Sequence, residues 1–568
     1  MFASVKISFA LAFLSALLLH VGANLRFQPR ASTKPLAHAI NGTFGGLHLP
    51  HLNQDLFLGI PFAQKPVDDL RLRRPVSLNG SWEGIRSAVN RSVSCKGYAG
   101  FAKGLDMGED CLTLDVVRPA GTTAQSKLPV LVWIYGGGFT AGGSADPRYN
   151  TSFMVRESVK IGKPIVAVSI NYRLGGWGFL ASREVQAANA SNIGLFDQRL
   201  ALRWIRENVK AFGGDPDAVT ISGESAGAFS VGYHLVGFGG RHDNLFRAAI
   251  MQSGSALGPA LYSDNQLQSS YQAIYDNVTA AVGCNNAADS LSCLRRVPFD
   301  RLSRAFEPHV LTPILDGDFL DQLPSESYAK GQVADVAILA GANTDEGTAT
   351  FFGPRGTLQV EADVVAYVSS LGHGLDQKTT RAIMSLYPDD PNQGCPFNTG
   401  QRRFAQNNGQ QYKRGAAIAG DLAIIAGRRA TSRYHSSKSP TYSYRFDQPP
   451  WNGIEPLVAT EAPVYSTHYS EICFVFNLDP KTSVNNSNWI GPDRSYHRLA
   501  EQMSRAWISF VHDLEPNYDQ SRLPHWPAYS TSQPRNMVLR ARGSHVETDD
   551  WRAPQLALWA KIWNNLDT

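Results

Sequence analysis

Between about Leu128 and Met251 the chain alternates short apolar runs with amphipathic stretches, and this alternation limits the possible folds more than any other feature. "LPVLVWIY" and "PIVAVSINY" are rich in β-branched and aromatic residues, and "AVTIS" and "FRAAIMQSGS" continue the series. Runs of that kind read as strands buried on both faces. "DQRLALRWIRENVKAF" has helical spacing and predicts a helix that opens at Asp197 as its cap. "VAILAGANTDEG" and "TYSYRFD" extend the strand series, and "HRLAEQMSRAWISFVHDL" predicts a long helix near the end. Strands alternating with helices imply an α/β architecture, a large and mostly parallel central sheet covered by helices on both faces. The segments from Ser255 to Val333 and from Phe352 to Ser439 are mostly helical and irregular. Within one large domain they are insertions that build a cap and pocket walls. No repeat, low-complexity linker or composition break divides the chain, so residues 24–568 are expected to form a single domain.

The chain has 568 residues and a net charge of +4, small for that length. Such a balance gives no reason to expect nucleic acid or an anionic membrane as partner. Residues 1–23, "MFASVKISFALAFLSALLLHVGA", carry one lysine, an apolar stretch and a small-residue end, which predicts a signal peptide cleaved near Ala23. No other run is long and apolar enough to span a bilayer, and the polar "WNNLDT" end does not suit a lipid-anchor signal. Secretion is consistent with sequons at Asn41, Asn79, Asn90, Asn150, Asn189, Asn277 and Asn485. It also agrees with the cysteines. Cys95 and Cys111 are near neighbours in sequence, as are Cys284 and Cys293, and each pair would close a short loop in an oxidising compartment. Cys395 and Cys473 are left over, free or paired with each other. Nothing in the sequence sets an oligomeric state.

"ISGESAGAFS" places Ser225 between Gly223 and Gly227, after a strand and before a helix. That context suits a nucleophile held on a sharp elbow. An ordinary tight turn would not need the other parts of an acyl-transfer site. Negative charge developing on a substrate oxygen needs preorganised N–H donors. "YGGGFTAGG" can supply them through Gly137 and Gly138, and Ala226 adds a third. A phosphate-binding loop is the rival reading, but no Lys-Ser/Thr closes the glycine run. A serine nucleophile also needs a base and an orienting acid. Order along the chain leaves Asp316, Asp335, Asp345 and Glu346 as acids. It leaves His373, His435, His468, His497, His512, His525 and His545 as bases.

The chain closely resembles the type-B carboxylesterases of the α/β-hydrolase superfamily, which include cholinesterases and a group of fungal lipases. The resemblance rests on "LGIPFAQKPVDDLRLRRP", "EDCLTLDVVRP", "WIYGGGF", "INYRLGGWGFL", "NIGLFDQRLALRWIRENVKAFGGDP", "TISGESAGAFS", "IMQSGS", "GANTDEG" and "THYSEICFVFN". It implies a Ser225–Glu346–His468 triad and an oxyanion hole of Gly137, Gly138 and Ala226. It implies that Glu224 lies against the base and that Ser253 supports the acid. It further implies buried ion pairs Arg71–Glu109 and Arg173–Asp197, and disulfides Cys95–Cys111 and Cys284–Cys293. No metal or organic cofactor is implied, and no H-E-x-x-H or clustered Cys/His ligand set occurs.

Two departures argue against a cholinesterase. The loop "CKGYAGFAKGLDMGEDC" has no tryptophan to stack on a choline cation, and Phe101 is its nearest aromatic substitute. "RAFEPHVL" lacks the aromatic pair that narrows a cholinesterase acyl pocket. The resulting expectation is a secreted, glycosylated serine carboxylesterase. A lipase or sterol esterase acting on long-chain esters is the alternative, and a silent binding protein on the same fold is a further one.

Overall fold

The structure is a computed structural model that describes residues 34–98, 104–258, 270–349, 356–371, 375–406, 408–451, 465–479, 490–563 and 566. The leader through Ala23, together with Phe101, His373 and Asn485, lies outside the described residues.

Among the described residues the largest sheet has eleven strands. In chain order they are β1 (Leu47–Leu49), β2 (Gln54–Pro61), β3 (Thr113–Pro119), β4 (Leu128–Ile134), β5 (Val166–Ile170) and β6 (Gly214–Glu224). They continue with β7 (Ala248–Gln252), β8 (Ala337–Asn343), β9 (Thr441–Phe446), β10 (Arg535–Leu539) and β11 (His545–Thr548). Their spatial order is β11-β10-β9-β8-β7-β6-β4-β5-β3-β2-β1. The stretch from β10 to β5 is parallel throughout. Antiparallel strands flank it, with β11 on one side and β3, β2 and β1 on the other. The strands recognised from apolar runs are β4 to β9, all of the parallel block but β10. The antiparallel flanks have no such run: β2 and β3 interrupt their apolar residues with Gln54, Asp55, Asp115 and Arg118, and β1 and β11 are three and four residues long.

The block is buried on both faces. Every residue of β5, β7 and β8 is buried, and one continuous apolar core surrounds them. Helices α1 (Ile193–Asn208), α2 (Ala226–Gly240) and α3 (Arg494–Asp513) pack against this sheet system. The expected start of α1 at Asp197 is corrected. The helix begins a turn earlier, after Asn192 in the left-handed region. Asp197 cannot cap it, because its carboxylate accepts the N–H and guanidinium of Arg173 at 2.6–3.0 Å in a fully buried ion pair. The second implied pair is also present, with Arg71 bidentate to Glu109 at 2.6 Å.

The two insertions are mainly helical, as expected. The first carries helices Gln272–Ala281, Ser290–Arg296, Phe299–Phe306 and Pro324–Lys330. The second carries Glu361–Ser370, Gln377–Leu386, Tyr412–Gly420 and Ala426–His435. Cys95–Cys111 and Cys284–Cys293 are disulfide-bonded, with Cα atoms 4.9 and 5.6 Å apart. Cys395 and Cys473 are free and buried.

Candidate active site

The elbow is a consequence of where β6 ends. Ser225 follows Glu224 with φ 55° and ψ −124°, a conformation that costs energy for any residue with a Cβ. Its N–H donates to Gln252 O of β7 at 3.0 Å, and its carbonyl accepts Phe229 N–H at 2.8 Å as α2 begins. The flanking glycines are required by space. A Cβ at Gly227 would sit 2.0 Å from Ile134 O, and one at Gly223 would sit 2.4 Å from the Gly227 carbonyl carbon. The turn is therefore clamped between its own two sides and the end of β4.

The glycine run after β4 lies on the same spot. A Cβ on Gly136 would meet Glu224 O at 2.4 Å and Ser225 Cβ at 2.9 Å. Gly137, Gly138 and Phe139 have φ of 107°, 63° and 59°. Successive positive φ values turn backbone N–H groups toward a common concavity. Among the described residues the N–H groups of Gly137 and Gly138 donate to no acceptor. Ala226 opens α2, so its N–H has no acceptor within the helix.

Of the histidines considered that are among the described residues, His468 alone meets a considered acid. Its Nδ1 lies 2.6 Å from Glu346 Oε2, and both side chains are fully buried. Glu346 sits in the turn just after β8, where its Oε1 accepts the N–H of Asn343 at 2.7 Å. His468 Nε2 lies 3.1 Å from Glu224 Oε1, so the base is flanked by two glutamates.

The other candidates are placed elsewhere. His435 is buried against Tyr328, and burial pushes its pKa down to about 4. His512 pairs with Asp513 at the surface. His525 and His545 are exposed, and His497 lies on α3. Asp316 accepts the N–H of Leu320, and Asp335 is exposed beside Ser439.

One implied contact is not formed. Ser253 is fully buried, but its hydroxyl makes no hydrogen bond among the described residues. The Glu346 oxygens are engaged instead by Asn343 N–H and His468.

Three residues missed in the sequence join the site. Glu471 lies three residues beyond His468 and accepts from Asn343 Nδ2 at 2.8 Å and Gln252 Nε2 at 3.2 Å. Gln252 is anchored in turn by Trp507 Nε1 at 3.0 Å. Asn343 also donates to Thr467 O at 2.8 Å, which fixes the loop that carries His468. The signal was present, since all three lie inside or beside quoted motifs. Their side-chain roles depend on strands that meet only in the fold. Burial pushes the Glu224 carboxyl well above the usual carboxylate range, helped by the charges of Glu471 and Glu346 and opposed by Arg148. Burial also raises Glu471, against the hydrogen bond from Asn343.

No group of three or more His, Cys, Asp or Glu able to hold a metal occurs among the described residues. Ser225 stands on a strained elbow and His468 pairs with Glu346 in the interior, features that suit a serine ester hydrolase on an α/β-hydrolase scaffold. Residues 33–559 match the Carboxylesterase family, and the chain belongs to that family. It is 36% identical to Lipase 4 of Diutina rugosa over 91% of this chain and 94% of that one. It is likewise 36% identical to Secreted lipase 1 of Botryotinia fuckeliana (strain B05.10), over 88% of each chain. The solved structure of Aspergillus niger EstA superposes with a TM-score of 0.81 at 26% identity, covering 94% of this chain and 99% of that one. The protein is a serine-dependent carboxylic ester hydrolase.

Proposed function

We propose that Ser225, Glu346 and His468 form the catalytic triad of a secreted, glycosylated carboxylesterase that works through an acyl-enzyme. The observation that carries this reading is the 2.6 Å contact between His468 Nδ1 and Glu346 Oε2, formed across 122 residues of sequence and fully buried. His468 Nε2 takes the Ser225 Oγ proton as the oxygen attacks the ester carbonyl. The N–H groups of Gly137, Gly138 and Ala226 receive the oxyanion. Glu346 fixes the imidazole tautomer and stabilises the imidazolium. Glu224 lies against the base at 3.1 Å, and burial raises its carboxyl pKa, which disfavours a second charge beside the imidazolium. His468 then protonates the leaving alcohol, and water repeats the sequence to release the acid. Ser253, buried just after β7, is kept as a supporting residue of the site. The mature unit is residues 24–568 as one domain, without cofactor, metal, nucleic-acid partner or stable membrane anchor.

Secretion is supported by the secreted lipase relative and by two disulfides. Among the described residues no helix is long and apolar enough to cross a membrane. The sequon residues Asn79, Asn90, Asn189 and Asn277 are exposed and suit glycans. Asn41 is half-buried and donates to two carbonyls, and Asn150 is half-buried at a helix start.

A second reading, a lipase acting on long-chain esters, is favoured by the lipase relatives that match about nine-tenths of this chain. Against it stands the short loop closed by Cys95–Cys111, with a sequence separation of 16. Its base is tied further by pairing of Ser94–Cys95 with Met107–Gly108 and by Tyr98 N–H to Thr140 O at 2.7 Å. A loop so held has little reach as a flap. Rates across a series of ester chain lengths, below and above the solubility limit, separate the two. Dissolved short and medium esters are expected to turn over with no jump at the limit. A steep rise only on emulsion would install the lipase reading. Ser225→Ala is expected to lower turnover about 10⁴-fold on any ester.

A further inference from the structure

The acid turn and the base loop meet at a second residue, Asp345. It forms an isolated parallel bridge with Thr467, and its N–H donates to Ser466 O at 2.9 Å. Its carbonyl accepts the Thr348 N–H at 3.0 Å and the Thr348 hydroxyl at 2.7 Å. That hydroxyl lies 2.8 Å from Thr467 Oγ1. The backbone on the N-terminal side of Glu346 is thus stitched to the backbone on the N-terminal side of His468.

The side chain of Asp345 reaches a third segment. Its Oδ1 accepts Phe397 N–H at 2.8 Å and lies 3.8 Å from Cys395 Sγ. That segment is held independently. Cys395 N–H donates to Lys413 O at 2.9 Å, and Phe397 meets Trp551 edge-on at 4.8 Å. Asp345 is only 4% exposed and forms no ion pair among the described residues. The mechanism above leaves this buried carboxyl unused.

We propose that Asp345 is a positioning residue for the Glu346–His468 pair: its carboxyl ties the Cys395–Phe397 segment to the acid turn, and its charge is felt by the base. The inference rests on the triad reading. Burial raises the Asp345 pKa to about 7, with Asp447 adding to the rise and the Phe397 N–H, Cys395 and Ser466 opposing it. The other charged or titratable groups that face it are Arg445 on β9, Lys413 on the helix Tyr412–Gly420 and Tyr465 on the base loop. Asp421 and Arg552 act on the neighbouring Cys395. Asp345 therefore gains its charge near neutral pH. A negative charge near an imidazole favours the imidazolium. The acidic limb of kcat/KM is then higher and broader than one group alone would make it.

Asp345→Asn keeps an oxygen for the Phe397 N–H and removes the charge. Its acidic limb is expected to move to lower pH by about half a unit and to follow a single ionisation, with KM little changed. Asp345→Ala also removes the acceptor and is expected to lower kcat about tenfold on top of that shift. A wild-type midpoint and shape in Asp345→Asn would overturn the proposal. If Asp345→Asn does not fold, Cys395→Ala decides. It removes a donor that favours the ionised carboxyl, so the limb is expected to move the same way by a smaller amount, and an unmoved limb overturns the proposal. His468→Ala is measured beside them. An active His468→Ala sinks the triad reading itself. An inactive one with an unmoved limb in the Asp345 or Cys395 variant sinks only the positioning role.

Discussion

Two regions of this molecule bury carboxylates and treat them in opposite ways. Behind the elbow, Glu224, Glu346 and Glu471 gather around His468, and no Lys or Arg forms an ion pair with any of them among the described residues. Beneath the β10–β11 hairpin, Asp549 is equally buried but is surrounded by donors. Arg428 and Arg429 reach it at 2.6–3.1 Å, Tyr529 at 2.9 Å and Asn536 at 3.0 Å. Burial pushes Glu224 and Glu471 up, whereas the two guanidiniums hold Asp549 well below the usual carboxylate range. The first arrangement is poor for stability and is the kind found where a proton must move. The second is a cross-link between the helix Ala426–His435 and the C-terminal hairpin, and it has no access to chemistry. Burial alone therefore does not mark a site, but burial without compensating cations, beside a histidine, does.

The sharpest way to break this contrast is to remove one member of each region. His468→Ala is expected to lower kcat/KM about 10⁴-fold while leaving denaturant unfolding close to wild type. Asp549→Ala is expected to do the reverse. It strands two buried arginines and should cost about 3–5 kcal/mol of stability, with near-normal turnover in the fraction that stays folded. Equal losses of activity and stability in both variants would erase the distinction.

A smaller effect lies in the pH dependence of unfolding. Glu224 has a folded pKa above its unfolded value, so the native state holds a proton that the unfolded state gives up near pH 4. Its contribution to stability falls as pH rises from that point. Asp549 is depressed, so its contribution is present above the unfolded value and is lost as pH falls toward the lower folded one. Glu224→Gln is expected to flatten the decline of stability as pH rises above the unfolded carboxylate range, read by urea midpoints. An unchanged slope would contradict the assigned direction.

The smallest effect expected is that of Ser253→Ala, within about threefold of wild-type kcat, because its hydroxyl donates to no group that the mutation would strand. A loss of a hundredfold would restore the serine as a working partner of Glu346.

What was legible in the sequence follows the range of the interactions. The parallel strands, the elbow at Ser225 and the glycine run at Gly137–Gly138 are local patterns, and each stands where expected. The acid and base were narrowed by chain order only to four and seven residues. Glu346 and His468 are far apart in sequence, so only resemblance to a family singled them out, and their 2.6 Å contact exists only in the fold. The Asp549 cross-link was not read at all. It joins residues about 120 positions apart, and Arg-Arg on a helix is ordinarily a solvated face. Asp197 shows the converse failure. Its local signal fitted a helix cap, but the buried Arg173 claimed the carboxylate and the helix began earlier. Asp345 was read as a candidate acid, yet its contacts are with a segment some fifty residues away.

The central claim is that His468, held by Glu346, activates Ser225. It is tested most directly by timed labelling with an organophosphate probe followed by peptide mapping, in wild type and in His468→Ala. The expected result is a single stoichiometric adduct on Ser225 in wild type, formed at least about a thousandfold more slowly in the variant. An adduct on another residue, or labelling of Ser225 at the wild-type rate without His468, would contradict it.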